Sequence, residues 1–252
     1  MTLIAGIRCS DGLVLVSDRQ ESDGDYKGSV RKIFDYSDST CQLAIATAGY
    51  SALADVAVKR IEEAARAAKF ADRHEEIIEA VLRELYERYI WDEEIPDTHE
   101  REISLIVGIY DTADRQYRLY RTCEEILQPI QSGYVCAGCG EEMGVYFLQR
   151  LYSPASTIHE AMKLMAFVVR EAKESVGEVG LETEVVILTE SGISRTLAAD
   201  ASVPRLADCV TRFWETKPGT AKIAESEKGF KRVDARNYST RPAVPRRRSG
   251  HS

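Results

Sequence analysis

The chain contains 252 residues, 44% of them hydrophobic, and carries a formal net charge of −8. This length supports one sizeable hydrophobic core, arranged as either one or two domains. No stretch approaches the roughly 18 uninterrupted apolar residues of a membrane span, and residues 1–20 lack a signal-peptide pattern, so we expect a cytoplasmic protein without a membrane partner.

The charge is unevenly distributed along the chain. From Lys228 to the C-terminus, eight Lys or Arg residues stand against one Asp, so the rest of the chain is strongly acidic. An acidic body argues against general nucleic-acid binding. Residues 218–252, which include Pro242, Pro245 and the run Arg246–Arg248, are expected to form a flexible basic tail.

The N-terminal residues predict a β-hairpin. Leu3–Cys9 reads as a strand, Ser10–Gly12 as a tight turn, and Leu13–Asp18 as a second strand. Asp-Gly between two β-rich runs is a strong hairpin signal. Because a hairpin returns the chain to its start, the end of the second strand is expected to lie beside Thr2.

A third segment, Gly28–Phe34, places the cations Arg31 and Lys32 at the start of another short strand. Side chains alternate along a strand, so one of the two is expected to face inward and the other outward. An apolar strand, Leu43–Gly49, follows and ends in a glycine.

The remaining elements form groups of strands followed by pairs of helices. We expect helices over 51–69 and 73–90, a loop over 91–101, strands over 103–110 and 116–121, a short strand near 133–136, helices over 141–152 and 156–175, a strand over 183–189 and a further helix over 199–215. The helix at 156 begins with a capping-box pattern. This grouping predicts an α+β fold in which two antiparallel sheets stack face to face, with a helix pair outside each.

Thr2 carries potential chemistry because initiator methionine is normally trimmed before small residues. A mature N-terminal threonine combines a hydroxyl nucleophile with an α-amine base on one residue. The α-amine titrates near ~8, so a useful fraction is neutral at cellular pH and can accept the hydroxyl proton.

Taken in order, the motifs resemble the proteasome β-subunits and their bacterial heat-shock protease relative, within the N-terminal nucleophile hydrolases. The matching pieces are Thr2, Asp11-Gly12, Asp18-Arg19, Arg31-Lys32-Ile33, Ala46–Gly49, Ala137–Gly140 and the strand Glu184–Leu188. The resemblance covers roughly residues 2–195. It implies a four-layer αββα sandwich over residues 2–217.

The resemblance also implies roles for individual residues. Lys32 matches the family's active-site lysine, whose charge beside Thr2 favours the deprotonated hydroxyl. Asp18 matches the aspartate that pairs with and orients that lysine. The backbone N–H of Gly49 is the candidate donor to an oxyanion.

Two positions depart from the family pattern. Cys139 stands between two glycines where the proteasome pattern has a serine, and a thiol is a poorer hydrogen-bond donor than a hydroxyl. After the long helix the family typically has an aspartate, and here either Glu174 or Glu178 could take its place.

Other chemistries are less well supported by the sequence. Cys136 and Cys139 have Cys-x-x-Cys spacing, but no second such pair exists to complete a zinc site, so we expect no metal and no cofactor. Cys9 is a rival nucleophile, but it lies near the turn of the predicted hairpin with no histidine nearby in sequence. None of the four histidines forms a credible Ser-His or Cys-His pattern.

The first functional hypothesis is a threonine-type endopeptidase that cleaves polypeptides and assembles into a homo-oligomeric ring, with an ATP-dependent unfoldase as a possible partner. The second is a catalytically inactive structural subunit with the same fold. The third is an amidase that uses the same nucleophile on a small molecule. Peptide turnover and ring formation distinguish the three.

Overall fold

The protein is described by a computed structural model that covers residues 2–23, 26–67, 70–91 and 102–198. Three predicted segments lie outside the described residues. They are the loop over 91–101, apart from residue 91, the helix over 199–215 and the basic tail over 218–252. In chain order the elements are β1 (Leu3–Arg8), β2 (Leu13–Asp18), β3 (Gln20–Asp23), β4 (Tyr26–Ser29), β5 (Ile33–Ser37), β6 (Cys41–Gly49), α1 (Ser51–Ala67), α2 (Phe70–Tyr89), β7 (Ile103–Asp111), β8 (Gln116–Cys123), β9 (Ile126–Pro129), β10 (Tyr134–Gly138), α3 (Glu141–Leu151), α4 (Ile158–Ser175), β11 (Thr183–Thr189) and β12 (Gly192–Ala198).

The predicted N-terminal hairpin is confirmed. β1 and β2 pair antiparallel, with Ile4 opposite Ser17, and the N–H of Cys9 donates to the carbonyl of Gly12 at 2.7 Å to close the turn. This register brings Asp18, the last residue of β2, next to the beginning of β1.

Two five-stranded antiparallel sheets form the centre of the fold. The first has the strand order β10-β1-β2-β11-β12, and the second has the order β5-β6-β7-β8-β9. β3 and β4 form a separate two-stranded hairpin. The N-terminal hairpin is therefore central in the first sheet, with a strand from the second half of the chain on each side of it.

Apolar side chains fill three layers between these elements. Leu15, Ile106 and other residues of both sheets form the middle layer. A Cβ atom on Gly108 would lie 2.9 Å from Cδ1 of Leu15, so this glycine lets the two sheets approach closely. α1 and α2 cover the outside of the second sheet, and α3 and α4 cover the outside of the first. The four-layer αββα architecture predicted from the sequence is confirmed.

The start of α4 illustrates why these residues form these elements. The side chain of Thr157 accepts a hydrogen bond from the N–H of Glu160, and the carboxylate of Glu160 accepts one from the N–H of Thr157 at 2.9 Å. This capping box, read from the sequence, satisfies two N–H groups that have no partner within the helix. Within the described residues, no helix is both long and apolar enough to cross a membrane.

The structure differs from the sequence prediction mainly at polar segments. β3, β4, β9 and β12 were not predicted, because exposed or edge strands do not need a continuous apolar pattern. Lys32 was expected at the start of a strand, but β5 begins one residue later, at Ile33. Lys32 thus belongs to the short connection between β4 and β5.

The middle layer makes a testable contribution to stability. Leu15→Ala is expected to lower the free energy of unfolding by about 2–5 kcal/mol, because the fully buried side chain leaves a cavity between the sheets. Chemical denaturation measures this change. Leu197→Ala, at a leucine of β12 that is 53% exposed, is the matched control and is expected to change stability little. Equal losses in the two variants would contradict this account of the core.

Candidate active site

Thr2 lies immediately before β1 and is 3% exposed. Its hydroxyl donates a hydrogen bond to the carboxylate of Asp18. The same hydroxyl oxygen accepts a hydrogen bond from Nζ of Lys32 at 2.5 Å. The structure therefore brings these three residues into direct contact, although they lie up to 30 positions apart in sequence.

The carboxylate of Asp18 is completely buried and is held by four groups besides the Thr2 hydroxyl. Oδ1 accepts from the N–H of Leu3 at 2.9 Å and from Nζ of Lys32 at 3.1 Å. Oδ2 accepts from the N–H of Gln20 at 3.0 Å and from the N–H of Gly180 at 3.1 Å. A buried charge requires such partners, and this set fixes both the position and the orientation of the carboxylate.

Lys32 is 6% exposed, and all three of its ammonium protons have acceptors. These acceptors are the Thr2 hydroxyl, the Asp18 carboxylate and the carbonyl of Gln20, the last at 2.5 Å. Burial lowers the pKa of Lys32 below its ordinary value of 10.5, and the negative charge of Asp18 opposes this shift. The adjacent Arg31 instead faces outward and pairs with Asp35.

The backbone of Lys32 is held by an ion pair between the buried Glu184 and the more exposed Arg195, which the sequence did not reveal. The carboxylate of Glu184 accepts from the N–H of Lys32 at 3.4 Å and from the N–H of Ile33 at 3.3 Å. Arg195 forms an ion pair with Glu184 and also donates to the carbonyl of Ile33 at 3.0 Å. Glu184 was noticed only as part of an apolar strand, and nothing in the local sequence indicates this long-range contact.

Thr47 lies in the motif Ala46–Gly49, but the sequence analysis gave it no role of its own. Its N–H donates to the carbonyl of Lys32 at 2.8 Å, and its hydroxyl donates to the same oxygen at 3.3 Å. The connection that carries Lys32 is thus fixed from the first sheet by Glu184 and from the second sheet by Thr47.

A cavity of about 290 Å³ opens beside Thr2. The end of β6 and the start of α1 form one wall, and Lys32 and Gly49 both line it. Gly49 has a φ of +98°, and a Cβ atom at this position would lie 2.1 Å from the carbonyl oxygen of Glu102. Only glycine fits here, and residue 49 is itself exposed at the cavity.

Cys139 contacts the main chain of Thr2. Its thiol donates to the carbonyl of Thr2 at 3.2 Å, and the N–H of Gly140 donates to the same oxygen at 3.4 Å. Gly138, with a φ of +93°, completes this turn, because a Cβ atom there would lie 2.2 Å from the Thr2 carbonyl. Loss of solvent around the sulfur and, to a smaller extent, the charge of Glu178 raise the pKa of the Cys139 thiol.

The other sequence candidates lie in different surroundings. Glu174 is exposed and pairs with Arg170 on its own helix at 3.8 Å, whereas Glu178 is electrostatically coupled to Cys139. Cys9 lies at the turn end of the N-terminal hairpin, and burial raises its pKa to about 12. A thiol with so high a pKa is a poor source of the nucleophilic thiolate.

The arrangement suits activation of a hydroxyl. Thr2 Oγ1 is polarised by an ammonium on one side and hydrogen-bonded to a carboxylate on the other, and it borders a cavity open to a ligand. Such a pair of charged groups can stabilise a developing alkoxide and direct its proton.

Comparison with known proteins supports this fold. The proteasome subunit family model matches residues 2–188, most of the chain. The chain belongs to the proteasome subunit family. A search of curated protein sequences finds no significant match.

Solved structures with the same fold include several Anbu proteins. A mutant of Anbu from Hyphomicrobium sp. strain MC1 is 17% identical, with a TM-score of 0.72, and the match covers 93% of this chain and 100% of that one. Anbu from Yersinia bercovieri, described as an ancestral β-subunit, is 17% identical with a TM-score of 0.70, covering 86% of this chain and 98% of the other. A helical assembly of the Anbu complex from Pseudomonas aeruginosa is 16% identical with a TM-score of 0.72, covering 86% and 97%.

The pKa of Lys32 reports how burial and the charge of Asp18 balance at this site. Its pKa is expected to lie below 10.5, and Asp18→Asn is expected to lower it further, because burial persists while the favourable carboxylate is lost. A pH titration of the lysine Cε resonance by NMR reports this value. Asp38→Asn is the control, since among the described residues its carboxylate bonds only Tyr36, Thr40 and Cys41. An increase in the Lys32 pKa in Asp18→Asn would refute the assignment.

The ion pair between Glu184 and Arg195 behind Lys32 should contribute measurably to stability. Glu184→Gln is expected to lower the free energy of unfolding by about 1.5–3 kcal/mol, because two backbone N–H groups lose a charged acceptor and Arg195 is left with Asp35 as its counter-charge. Glu190→Gln, which removes one partner of the exposed pair with Arg115, is expected to leave the denaturation midpoint unchanged. Denaturant titration compares the two, and equal midpoints would show that the Glu184 contact is dispensable.

Proposed function

We propose that this protein is a threonine-type peptidase whose nucleophile is the hydroxyl of Thr2, made N-terminal by removal of Met1. The observation that carries the proposal is the simultaneous contact of this hydroxyl with Lys32 and Asp18 in a buried site beside a cavity. Membership of the proteasome subunit family supports the same reaction class.

In the proposed reaction, Oγ1 of Thr2 attacks the carbonyl carbon of a peptide bond, and the free α-amine of Thr2 accepts the hydroxyl proton. The tetrahedral intermediate collapses, the C–N bond breaks, and the α-ammonium returns the proton to the leaving amine. Water then attacks the resulting ester, gives one proton to the α-amine and releases the carboxylic acid. The Thr2 hydroxyl is regenerated by the returned proton.

The neighbouring groups have separate roles in this scheme. The ammonium of Lys32 lowers the free energy of the alkoxide at Thr2, and Asp18 orients that ammonium. The N–H of Gly49 is the proposed donor to the oxyanion, which is supported by its accessible backbone at the cavity wall. Cys139 takes the place of the family's serine and bonds the Thr2 carbonyl.

We further propose that the domain of residues 2–217 assembles into a cytoplasmic homo-oligomeric ring, with residues 218–252 as a basic tail. One of the structurally similar proteins is described as a helical assembly. A closed assembly would restrict the site to unfolded polypeptides, and an ATP-dependent unfoldase is the partner that would supply them.

The experiment is peptide hydrolysis by protein purified from its natural host. Intact mass is expected to show the loss of Met1, and the wild type is expected to cleave fluorogenic peptides. Thr2→Ala is expected to reduce kcat/KM at least about 1000-fold, since the only proposed nucleophile is removed. Lys32→Ala is expected to reduce it at least about 100-fold.

Thr2→Ser, which retains the hydroxyl, is the control and should keep part of the activity. Native mass spectrometry should give the same assembly for wild type and Thr2→Ala. Turnover that persists in Thr2→Ala would refute the mechanism. An assembled wild type that retains Met1 and cleaves nothing would instead favour the structural subunit, a reading that the substitution of serine by Cys139 also supports.

A further inference from the structure

The main chain at Lys32 spans the gap between the two sheets. Its N–H donates to the first sheet, where the carboxylate of Glu184 in β11 accepts it at 3.4 Å. Its carbonyl faces the second sheet, where Thr47 in β6 donates to it from both its N–H and its hydroxyl. In a regular antiparallel strand, the N–H and the carbonyl of one residue bond the same neighbouring strand. Lys32 is therefore held by side chain and main chain of two different layers.

Two consecutive N–H groups converge on one oxygen at this point. Oε2 of Glu184 accepts from the N–H of Lys32 and from the N–H of Ile33, the second at 3.3 Å. Successive N–H groups that point to the same side form a small concave site for a negative charge. Glu184 is only 1% exposed, and both N–H groups are buried with it. A buried N–H that loses its acceptor is costly, so without this oxygen the main chain has to move to find another.

Arg195, on β12, holds the carboxylate of Glu184 in this place. Its guanidinium pairs with Oε1 of Glu184 and with Asp35, and it donates to the carbonyl of Ile33 at 3.0 Å. The same group thus fixes the carboxylate and a residue whose N–H that carboxylate accepts. Neither Glu184 nor Arg195 is among the described partners of the Lys32 ammonium, all three of whose protons have other acceptors.

The position of the ammonium depends on the position of this main chain. Nζ of Lys32 lies 2.5 Å from Thr2 Oγ1 and 2.5 Å from the carbonyl of Gln20, in a site where the lysine is almost completely buried. A shift of the main chain by about 1 Å has to be absorbed by the lysine side chain, and a misplacement of that size near a reacting group can lower a rate about 100-fold.

We propose, on the basis of the peptidase function proposed above, that Glu184 is a positioning residue for the reaction. By accepting the two consecutive N–H groups, it places the ammonium of Lys32 against the Thr2 hydroxyl. Arg195 supports this role by fixing the carboxylate. Glu184 acts through the main chain of Lys32, so its contribution arises when negative charge develops on Thr2 Oγ1, and it affects kcat more than substrate binding.

The first arm of the experiment measures hydrolysis of a fluorogenic peptide by two variants. Glu184→Met removes both acceptor oxygens, whereas Glu184→Gln keeps one carbonyl oxygen for the N–H groups and loses only the charge. In Glu184→Met, kcat is expected to fall about 10–100-fold, with KM changed less than about threefold. Glu184→Gln is expected to keep at least about a third of the wild-type kcat, because an acceptor remains. Equal kcat values for the two variants would overturn the proposal.

Leu82→Ala is the matched control for a loss of stability. Leu82 is a fully buried residue of α2 in the layer outside the second sheet, and its truncation leaves a cavity there. At a temperature at which circular dichroism shows every variant folded, its kcat is expected to stay within about twofold of wild type. A loss of kcat in Leu82→Ala as large as that in Glu184→Met would show that general destabilisation is the cause, and would refute the positioning role.

The second arm locates the ammonium without turnover. In a crystal structure of Glu184→Met, Nζ of Lys32 is expected to lie more than about 3.5 Å from Thr2 Oγ1, beyond hydrogen-bond distance. Glu184→Gln is expected to retain the contact. An unchanged contact in Glu184→Met would overturn the proposal. A displaced ammonium, in a protein whose wild type hydrolyses no peptide, would leave the positioning role standing and refute only the peptidase function.

Discussion

The structure of the site depends on one buried charge pair, Lys32 with Asp18, closed on the hydroxyl of Thr2. Removing two charges from water costs several kcal/mol per ion unless further hydrogen bonds compensate. Here the compensation comes from the backbone: three N–H groups bond the carboxylate, and a carbonyl bonds the ammonium. The position of several loops and strand ends is thereby tied to the geometry of a single functional group.

Most helices and central strands of the fold could be predicted from the sequence, whereas the polar strands at the sheet edges could not. Alternating or continuous apolar runs specified β1, β2, β6, β7 and β11, and helical periodicity specified all four helices, because these elements bury apolar faces in the core. β12 and β9 lie at sheet edges with one side unpaired, where little apolar pattern is required. Lys32 was assigned to a strand, but it lies just before β5, since Arg31 and Lys32 give no local signal for where pairing begins.

Only some residues of the candidate active site could be predicted from the sequence, for a related reason. Thr2, Asp18, Lys32, Gly49 and Cys139 could be named from short motifs, because each stands next to a recognisable turn or strand end. Glu184 and Arg195 could not, since their importance comes from contacts with residues more than 150 positions away. Long-range polar contacts of this kind leave no periodicity in the sequence, and only the folded register of β2, β11 and β12 shows them.

The bond from the N–H of Gly180 to Asp18 spans 162 positions and has a consequence for biosynthesis. The first 50 residues contain every charged group that touches the hydroxyl, yet the central hairpin of the first sheet obtains its two flanking strands only from residues 134–138 and 183–189. A nascent chain that still lacks residues 180–189 therefore cannot hold the carboxylate in its final orientation. The contacts that fix Asp18 beside Thr2 are therefore complete only after the second half of the chain has been synthesised and has paired with the N-terminal hairpin.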